Sequence, residues 1–331
     1  MTLEVQSLEE LFRELLNQRG DAGTINAKKL ESEGLFAAVN DAGDYLVLVD
    51  DQRLSIGPPM RLKVLSVDYG IKYKAIIDDA EVSGQYTVLR LGSQHSHLTF
   101  SFCALISMLS SSLGTHPTPG ELQEFVENFI ELFAPRSGNP RERIKGLFGE
   151  LAVINAADDK ENFAHAWHNQ TNANKDFSFP LQYLEVKTTE GKVRKHEFSS
   201  KQLDSPFEGK PVLVASLVIE EDPQGQTVFQ LLDSVQSSLS HELQVKLIKQ
   251  TFEIVGLDAE DAQELKWSVQ GSSGGIYIFP AEVLPKPIVD NANNLSAAIS
   301  GVGFSLNFEI LEAAGLLHRR LSDFNWKTTA H

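Results

Sequence analysis

The run Tyr183-Leu-Glu-Val-Lys-Thr-Thr189 places an acid and a lysine two residues apart inside a β-favouring apolar stretch. Side chains on a strand alternate faces, so Glu185 and Lys187 share one face while Leu184, Val186 and Thr188 take the other. Five acid-x-Lys pairs occur in the chain, beginning at Asp158, Glu185, Glu190, Glu208 and Glu264, so spacing alone singles out none of them; the strand context does. The preceding stretch adds a second carboxylate. If residues 174–179 and 182–188 form a hairpin closed by Pro180 and Leu181, Asp176 falls opposite Glu185. Opposed carboxylates repel in an ordinary sheet, and a bridging divalent cation explains their pairing. Pro-Leu is not a favoured two-residue turn, and a three-residue loop would shift the pairing by one position.

A third acid lies upstream, on a helix expected over 141–156. There Ile144, Leu147, Phe148, Leu151 and Ile154 recur at helical spacing as one apolar stripe. Glu150 falls about 100° from its centre, on the flank. Gly146 lies just beyond it and Gly149 further round. Glycine inside a helix costs about 1 kcal/mol relative to alanine, which close approach of a backbone or ligand would explain, above all at Gly146.

Three pieces in this order, Gly146-Leu-Phe-Gly-Glu-Leu151, Lys175-Asp-Phe-Ser178 and Leu184-Glu-Val-Lys-Thr-Thr189, resemble the PD-(D/E)XK nuclease superfamily. They are most similar to its restriction-endonuclease-like branch and to proteins encoded beside bacterial restriction and phage-defence genes. The resemblance implies that Glu150, Asp176, Glu185 and Lys187 are catalytic. It also implies that Asp176, Glu185 and Glu150 hold Mg²⁺, with Mn²⁺ as substitute, and that Lys187 orients or deprotonates water. Lys175 stands where the superfamily name has proline. Gln202 resembles a polar residue at the start of the following helix. Lys175, Thr188, Lys192, Arg194, Lys201 and Gln202 are the candidate substrate contacts. The expected function is DNA endonuclease, in restriction or phage defence; the alternative is a catalytically silent DNA-binding or assembly subunit on the same fold.

The chain of 331 residues carries a formal net charge of −16, which excludes nonspecific coating of nucleic acid. The charge is uneven. Residues 136–201 hold eleven Lys and Arg against nine Asp and Glu, a net +2, leaving −18 for the remainder. A lone Cys103 excludes an internal disulfide, no secretory signal opens the sequence, and no apolar run reaches the roughly 20 residues of a membrane helix. A cytoplasmic protein is expected, with DNA, other restriction or defence subunits and a second copy of the chain as partners, and no membrane.

The length suggests two domains, 1–135 and 136–331, separated by Ala134-Pro-Arg-Ser-Gly-Asn-Pro140. The first reads as a helix over 5–18, short strands between 35 and 102, then helices. The second reads as an α/β (α+β) restriction-endonuclease-like core, a mixed sheet flanked by helices, with a polar helix start near Ser199 and helix over 229–256. Trp167 reads as core, and His165, His168 and His196 as loop or DNA-contact residues. Gly271-Ser-Ser-Gly-Gly275 lacks the lysine of a phosphate loop.

Overall fold

The computed structural model describes residues 5–18, 25–30, 32–50, 58–61, 64–77, 80–112, 117–130, 136–168, 175–205, 209–270, 275–287, 303–324 and 326. Residues 134–135 of the expected linker, Asn174 and residues 271–274 lie outside them. The chain divides into two compact units, Met1–Arg136 with Val255–Glu260, and Ser137–Ile254 with Asp261–His331.

The first unit contains α1 (Val5–Asn17), β1 (Ile25–Lys29), β2 (Leu35–Val39), β3 (Tyr45–Asp50), β4 (Met60–Arg61), β5 (Leu65–Ile77), β6 (Ala80–Leu91), α2 (Thr99–Ser112) and α3 (Pro119–Ile130). Its sheet runs β1-β2-β3-β6-β5-β4, and an additional parallel pairing of β1 with β5 closes the ring. Closure removes the open edges that a flat sheet would expose. Of the two separate strands that the sequence suggests over 62–67 and 73–77, residues 62–63 lie outside the described ones, and residues 65–67 and 73–77 belong to one 13-residue strand, β5, whose register shifts between Asp68 and Ile71. Gly70, at φ 64°, sits in that irregularity, where an L side chain would be strained. The bent strand pairs with β4 at one end and reaches β1 at the other. Ile25, Ala38, Leu46, Leu48, Ala75 and Val88 fill the interior.

The second unit contains α4 (Pro140–Ala156), α5 (Lys160–Ala166), β7 (Phe177–Ser178), β8 (Tyr183–Glu190), β9 (Lys195–Ser199), β10 (Val212–Gln226), α6 (Val228–Gln236), α7 (His241–Val255), α8 (Ala259–Glu264), β11 (Trp267–Val269), β12 (Tyr277–Pro280), β13 (Gly303–Asn307), α9 (Phe308–Ala313) and β14 (Arg319–Arg320), the ends of α7 and α8 at Val255–Glu260 excepted. The sheet order is β14-β12-β10-β8-β7, with β11 also on β10. β8 and β10 are parallel and the other pairs antiparallel, so the sheet is mixed as expected. The helix expected near Ser199 is only a single 3₁₀ turn, Ser200–Gln202, following β9. That short turn is closed by its own capping box, which satisfies the backbone without a longer helix. The helical stretch over 229–256 is two helices, broken after Gln236. Among the described residues, no helix is long and apolar enough to cross a membrane.

Helix α4 is the element that carries the first acid. Asn139 accepts the Arg141 N–H at 3.0 Å and Pro140 occupies the first turn, a start signal legible in the sequence. Ile144, Leu147, Phe148, Leu151 and Ile154 are all buried. At roughly 1.5–3 kcal/mol for each buried side chain, the stripe outweighs two interior glycines several-fold. The close approach expected at Gly146 occurs at Gly149 instead. A Cβ there would collide with the Thr188 hydroxyl and stand 3.0 Å from Thr188 Cβ, whereas one at Gly146 meets nothing within 4 Å. Gly149 therefore lets α4 lie against β8. Gly149→Ala is expected to destabilise the protein by about 1–3 kcal/mol through overpacking. Gly146→Ala is expected to stabilise it by about 1 kcal/mol. Urea unfolding midpoints of the two variants check the contrast.

Candidate active site

The β7–β8 hairpin has the two-residue loop. Phe177 pairs with Leu184 and Ser178 with Tyr183, and the Phe179 N–H donates to the Gln182 carbonyl at 3.0 Å. Extending that register by one residue sets Asp176 opposite Glu185. The Asp176 side chain reaches across, and its Oδ2 accepts the Val186 N–H at 2.6 Å. Lys187 Nζ lies 3.1 Å from Glu185 Oε1 and over the Phe198 ring at 5.2 Å, so the ammonium group is held on two sides. Glu185 is 2% exposed, and its Oε2 is buried with no hydrogen-bond partner among the described residues.

Burial pushes the Asp176 carboxyl well above the ordinary carboxylate range; Glu150 and Glu185 push it further, against the Val186 N–H and Lys187. Burial also raises Glu185, with Glu150 adding to the rise and Lys187 and Lys175 opposing it. Glu150 therefore acts on both of these acids, and Glu185 on Asp176, in the repulsive sense.

Glu150 is held at one oxygen. Its Oε2 accepts the Trp167 indole N–H at 2.7 Å and lies 2.9 Å from His168 Nε2. Trp167 is fully buried, so it is core as read, and its indole N–H also needs an acceptor, which Glu150 provides. Burial draws the His168 imidazole down, but the Glu150 carboxylate outweighs it and the net shift is upward. Sequence reading missed these two as partners of the acid. The usable signal was an adjacent Trp and His in a loop between two acid-bearing elements.

The candidate substrate contacts separate into two groups. Lys192 and Lys201 are exposed. The others are engaged within the protein. Lys175 is buried, and its Nζ donates to the Lys201 carbonyl at 3.0 Å and to the Gln202 carbonyl; burial lowers its pKa. Gln202 Oε1 accepts the Ser199 N–H at 2.9 Å, capping its own turn. The Thr188 hydroxyl is buried under Gly149 without a hydrogen-bond partner among the described residues. Arg194 donates to the Ser216 carbonyl at 2.7 Å and lies 4.1 Å over the Tyr277 ring. Thr188, Lys175, Gln202 and Arg194 thus have structural work that their residue types alone did not disclose. His196 is also internal rather than a loop contact: it is buried with Nε2 2.6 Å from Ser216 Oγ, and burial, helped by Arg194, Lys187 and Lys145, draws it down to about 3.

The three-carboxylate ligand set expected from the sequence is not assembled as one group. Among the described residues, no group of three or more His, Cys, Asp and Glu side chains is arranged to hold a metal ion. Asp176 and Glu185 still fit a divalent cation. They are oxygen donors on facing positions, one Glu185 oxygen is a buried atom without a partner among the described residues, and a cation would offset the burial and the repulsion that raise the two carboxyls. Mg²⁺ retains several waters and needs only one or two carboxylates.

An acid on α4, packed against a mixed sheet, thus precedes an Asp just before β7 and a Glu and a Lys on β8, the order in which the sequence resembles a nuclease-type fold. A family model with the description "Putative PD-(D/E)XK family member, (DUF4420)" matches residues 8–277, and the chain belongs to that family. No curated protein and no solved structure matches it.

The raised carboxyls set a pH dependence. Unfolded Asp and Glu lose their protons near pH 4, while folded Asp176 and Glu185 keep theirs to higher pH. Between those limits the folded state binds more protons than the unfolded state, so metal-free stability falls as pH rises through the folded values. Asp176→Asn, which retains an oxygen for the Val186 N–H, is expected to raise the metal-free Tm at pH 8 and to flatten its decline between pH 5 and pH 8. Thermal unfolding in a chelating buffer checks this.

Proposed function

We propose that the protein is a Mg²⁺-dependent DNA endonuclease that hydrolyses phosphodiester bonds, with Mn²⁺ able to replace Mg²⁺, and that it serves bacterial restriction or phage defence. The observation that carries the reading is the pairing of half-buried Asp176 with buried Glu185, with Lys187 Nζ 3.1 Å from Glu185. Two acids drawn partly out of water beside a lysine are costly for stability, and the lysine together with a cation held by the acids would suit charge developing on a phosphate.

Asp176 and Glu185 would hold the cation, which supplies charge stabilisation at the phosphate oxygens and acidifies water. Lys187, steadied by Glu185 and Phe198, donates to the attacking water or to a phosphate oxygen. Glu150 is fixed at Oε2, and no bond among the described residues falls on Oε1, so that oxygen is the one it offers to the site. Water oxygen bonds to phosphorus as the bond to the 3′ oxygen breaks. The water proton passes to solvent, and the leaving oxygen takes a proton, giving a 5′-phosphate and a 3′-hydroxyl. Exposed Lys192, Lys195 and Lys201 supply positive charge for the DNA backbone. The defence setting is supported by family resemblance, and loss of phage restriction on deletion in the native host tests it.

One observation favours the rival, a catalytically silent DNA-binding or assembly subunit: the described residues form no three-ligand metal group. Plasmid cleavage separates the two. The wild type with Mg²⁺ or Mn²⁺ is expected to nick or cut supercoiled DNA, and Lys187→Ala to slow this by about 10²–10⁴-fold. Calorimetry is expected to show Mn²⁺ binding that Asp176→Ala removes. Absence of both cleavage and metal binding establishes the rival.

A further inference from the structure

We propose that His168 is a positioning residue that, with Trp167, clamps Glu150 to the Asp176 strand and so sets which carboxylate oxygen the site receives. The proposal rests on the nuclease reading above. Among the described residues, His168 is the one non-glycine residue with positive φ, at 44°. Left-handed backbone at such a residue costs of order 1–3 kcal/mol and persists where the surroundings impose it.

Two bonds follow from that conformation. The His168 backbone N–H donates to the Asp176 carbonyl at 2.9 Å, while its ring Nε2 lies 2.9 Å from Glu150 Oε2. One residue thus joins the helix acid to the backbone of the strand acid. Trp167 supplies the second point. Its backbone pairs with Phe177 as an isolated β-bridge, its indole N–H donates to the same Glu150 oxygen, and its ring lies 5.1 Å from the His168 ring.

The support beneath the clamp is also specific. Lys246 Nζ donates to the Ala164 and His165 carbonyls, each at 2.9 Å, closing the end of α5 from which Trp167 and His168 emerge. Gln250 Nε2 reaches the His168 carbonyl at 3.5 Å. With both donors on Oε2, the carboxylate cannot rotate freely, and Oε1 is presented in one orientation. An outer contact of this kind typically changes metal affinity or rate by about 10–100-fold when removed.

Three variants of the full chain separate backbone from ring. His168→Gly keeps the left-handed backbone and loses the ring bond. His168→Gln carries a side-chain N–H about as far out as Nε2, and His168→Ala loses both advantages. The glycine variant is expected to lower kcat for plasmid cleavage, or Mn²⁺ affinity by calorimetry, by about 10–100-fold with KM for DNA unchanged, and the glutamine variant to recover part of the loss. Wild-type kcat and Mn²⁺ affinity in His168→Gly overturn the proposal, as does a loss confined to KM.

A double-mutant cycle tests the contact without activity. His168→Gly and Glu150→Gln are expected to be non-additive in unfolding free energy, because the contact is shared; additive effects overturn the clamp. Coupling in the cycle with no cleavage and no metal binding by the wild type identifies failure of the nuclease reading rather than of the contact.

Discussion

A carboxylate removed from water and set opposite a second carboxylate is the constraint that organises the second unit. Glu185 is held on a strand paired on both sides, by β7 and β10, so it has no route back to solvent. An uncompensated buried charge costs several kcal/mol. Lys187 and Lys175 oppose part of that cost, and the Val186 N–H holds the facing Asp176. The remaining repulsion is tolerable only if the surrounding frame is rigid enough to prevent the acids from moving apart.

Helix α4 provides much of that rigidity because it is tied to β8 along its length. Near its start, Arg141 Nη2 meets Glu190 of β8 at 2.5 Å and Glu221 of β10 at 2.8 Å. In the middle, the missing Cβ of Gly149 admits Thr188. Next to it, Glu150 is bonded to Trp167, whose backbone bridges to β7. The arginine contacts are partly exposed, so each contributes modestly and mainly fixes direction. The glycine contact fixes distance. Together they determine where Glu150 stands relative to Asp176 and Glu185, which burial of the apolar stripe alone would leave free to slide by a turn.

What was legible in the sequence was local in origin. The hairpin register followed from counting across Pro180-Leu181, and the α4 face followed from a 3.6-residue period. Properties that depend on which surfaces meet were not legible. Gly146 and Gly149 look alike in sequence, and only the approach of Thr188 distinguishes them. Lys175 and Arg194 looked like phosphate contacts because a basic side chain beside an acid motif has that reading, yet both bind internal carbonyls. Closure of the first unit depends on β1 pairing with β5 across some fifty intervening residues, and its bend at Gly70 resembled a strand break. His168 was hidden for a different reason: its conformation is set by Asp176 and Glu150, and no local pattern announces a left-handed histidine.

The internal use of basic residues also changes what the charge arithmetic means. The +2 over residues 136–201 counts Arg141, which is neutralised by Glu190 and Glu221, and Lys145, which pairs with Glu142 at 2.6 Å. Lys175 instead directs its charge at carbonyl oxygens, which cannot neutralise it, so it contributes positive potential close to Glu185, while Arg194 is spent on the Ser216 carbonyl. The field of Lys175 helps Glu185 remain beside Asp176, and the internal use of both side chains leaves fewer cations to grip a substrate. Each phosphate contact adds a salt-sensitive increment to affinity, so a surface with few exposed lysines binds a polyanion weakly. On the proposed nuclease reading, in a chain of net charge −16, affinity for a phosphodiester would therefore come chiefly from a cation held by the acid pair. The same burial that makes Asp176 and Glu185 costly in the metal-free protein makes a cation's charge effective there, because little water remains to screen it.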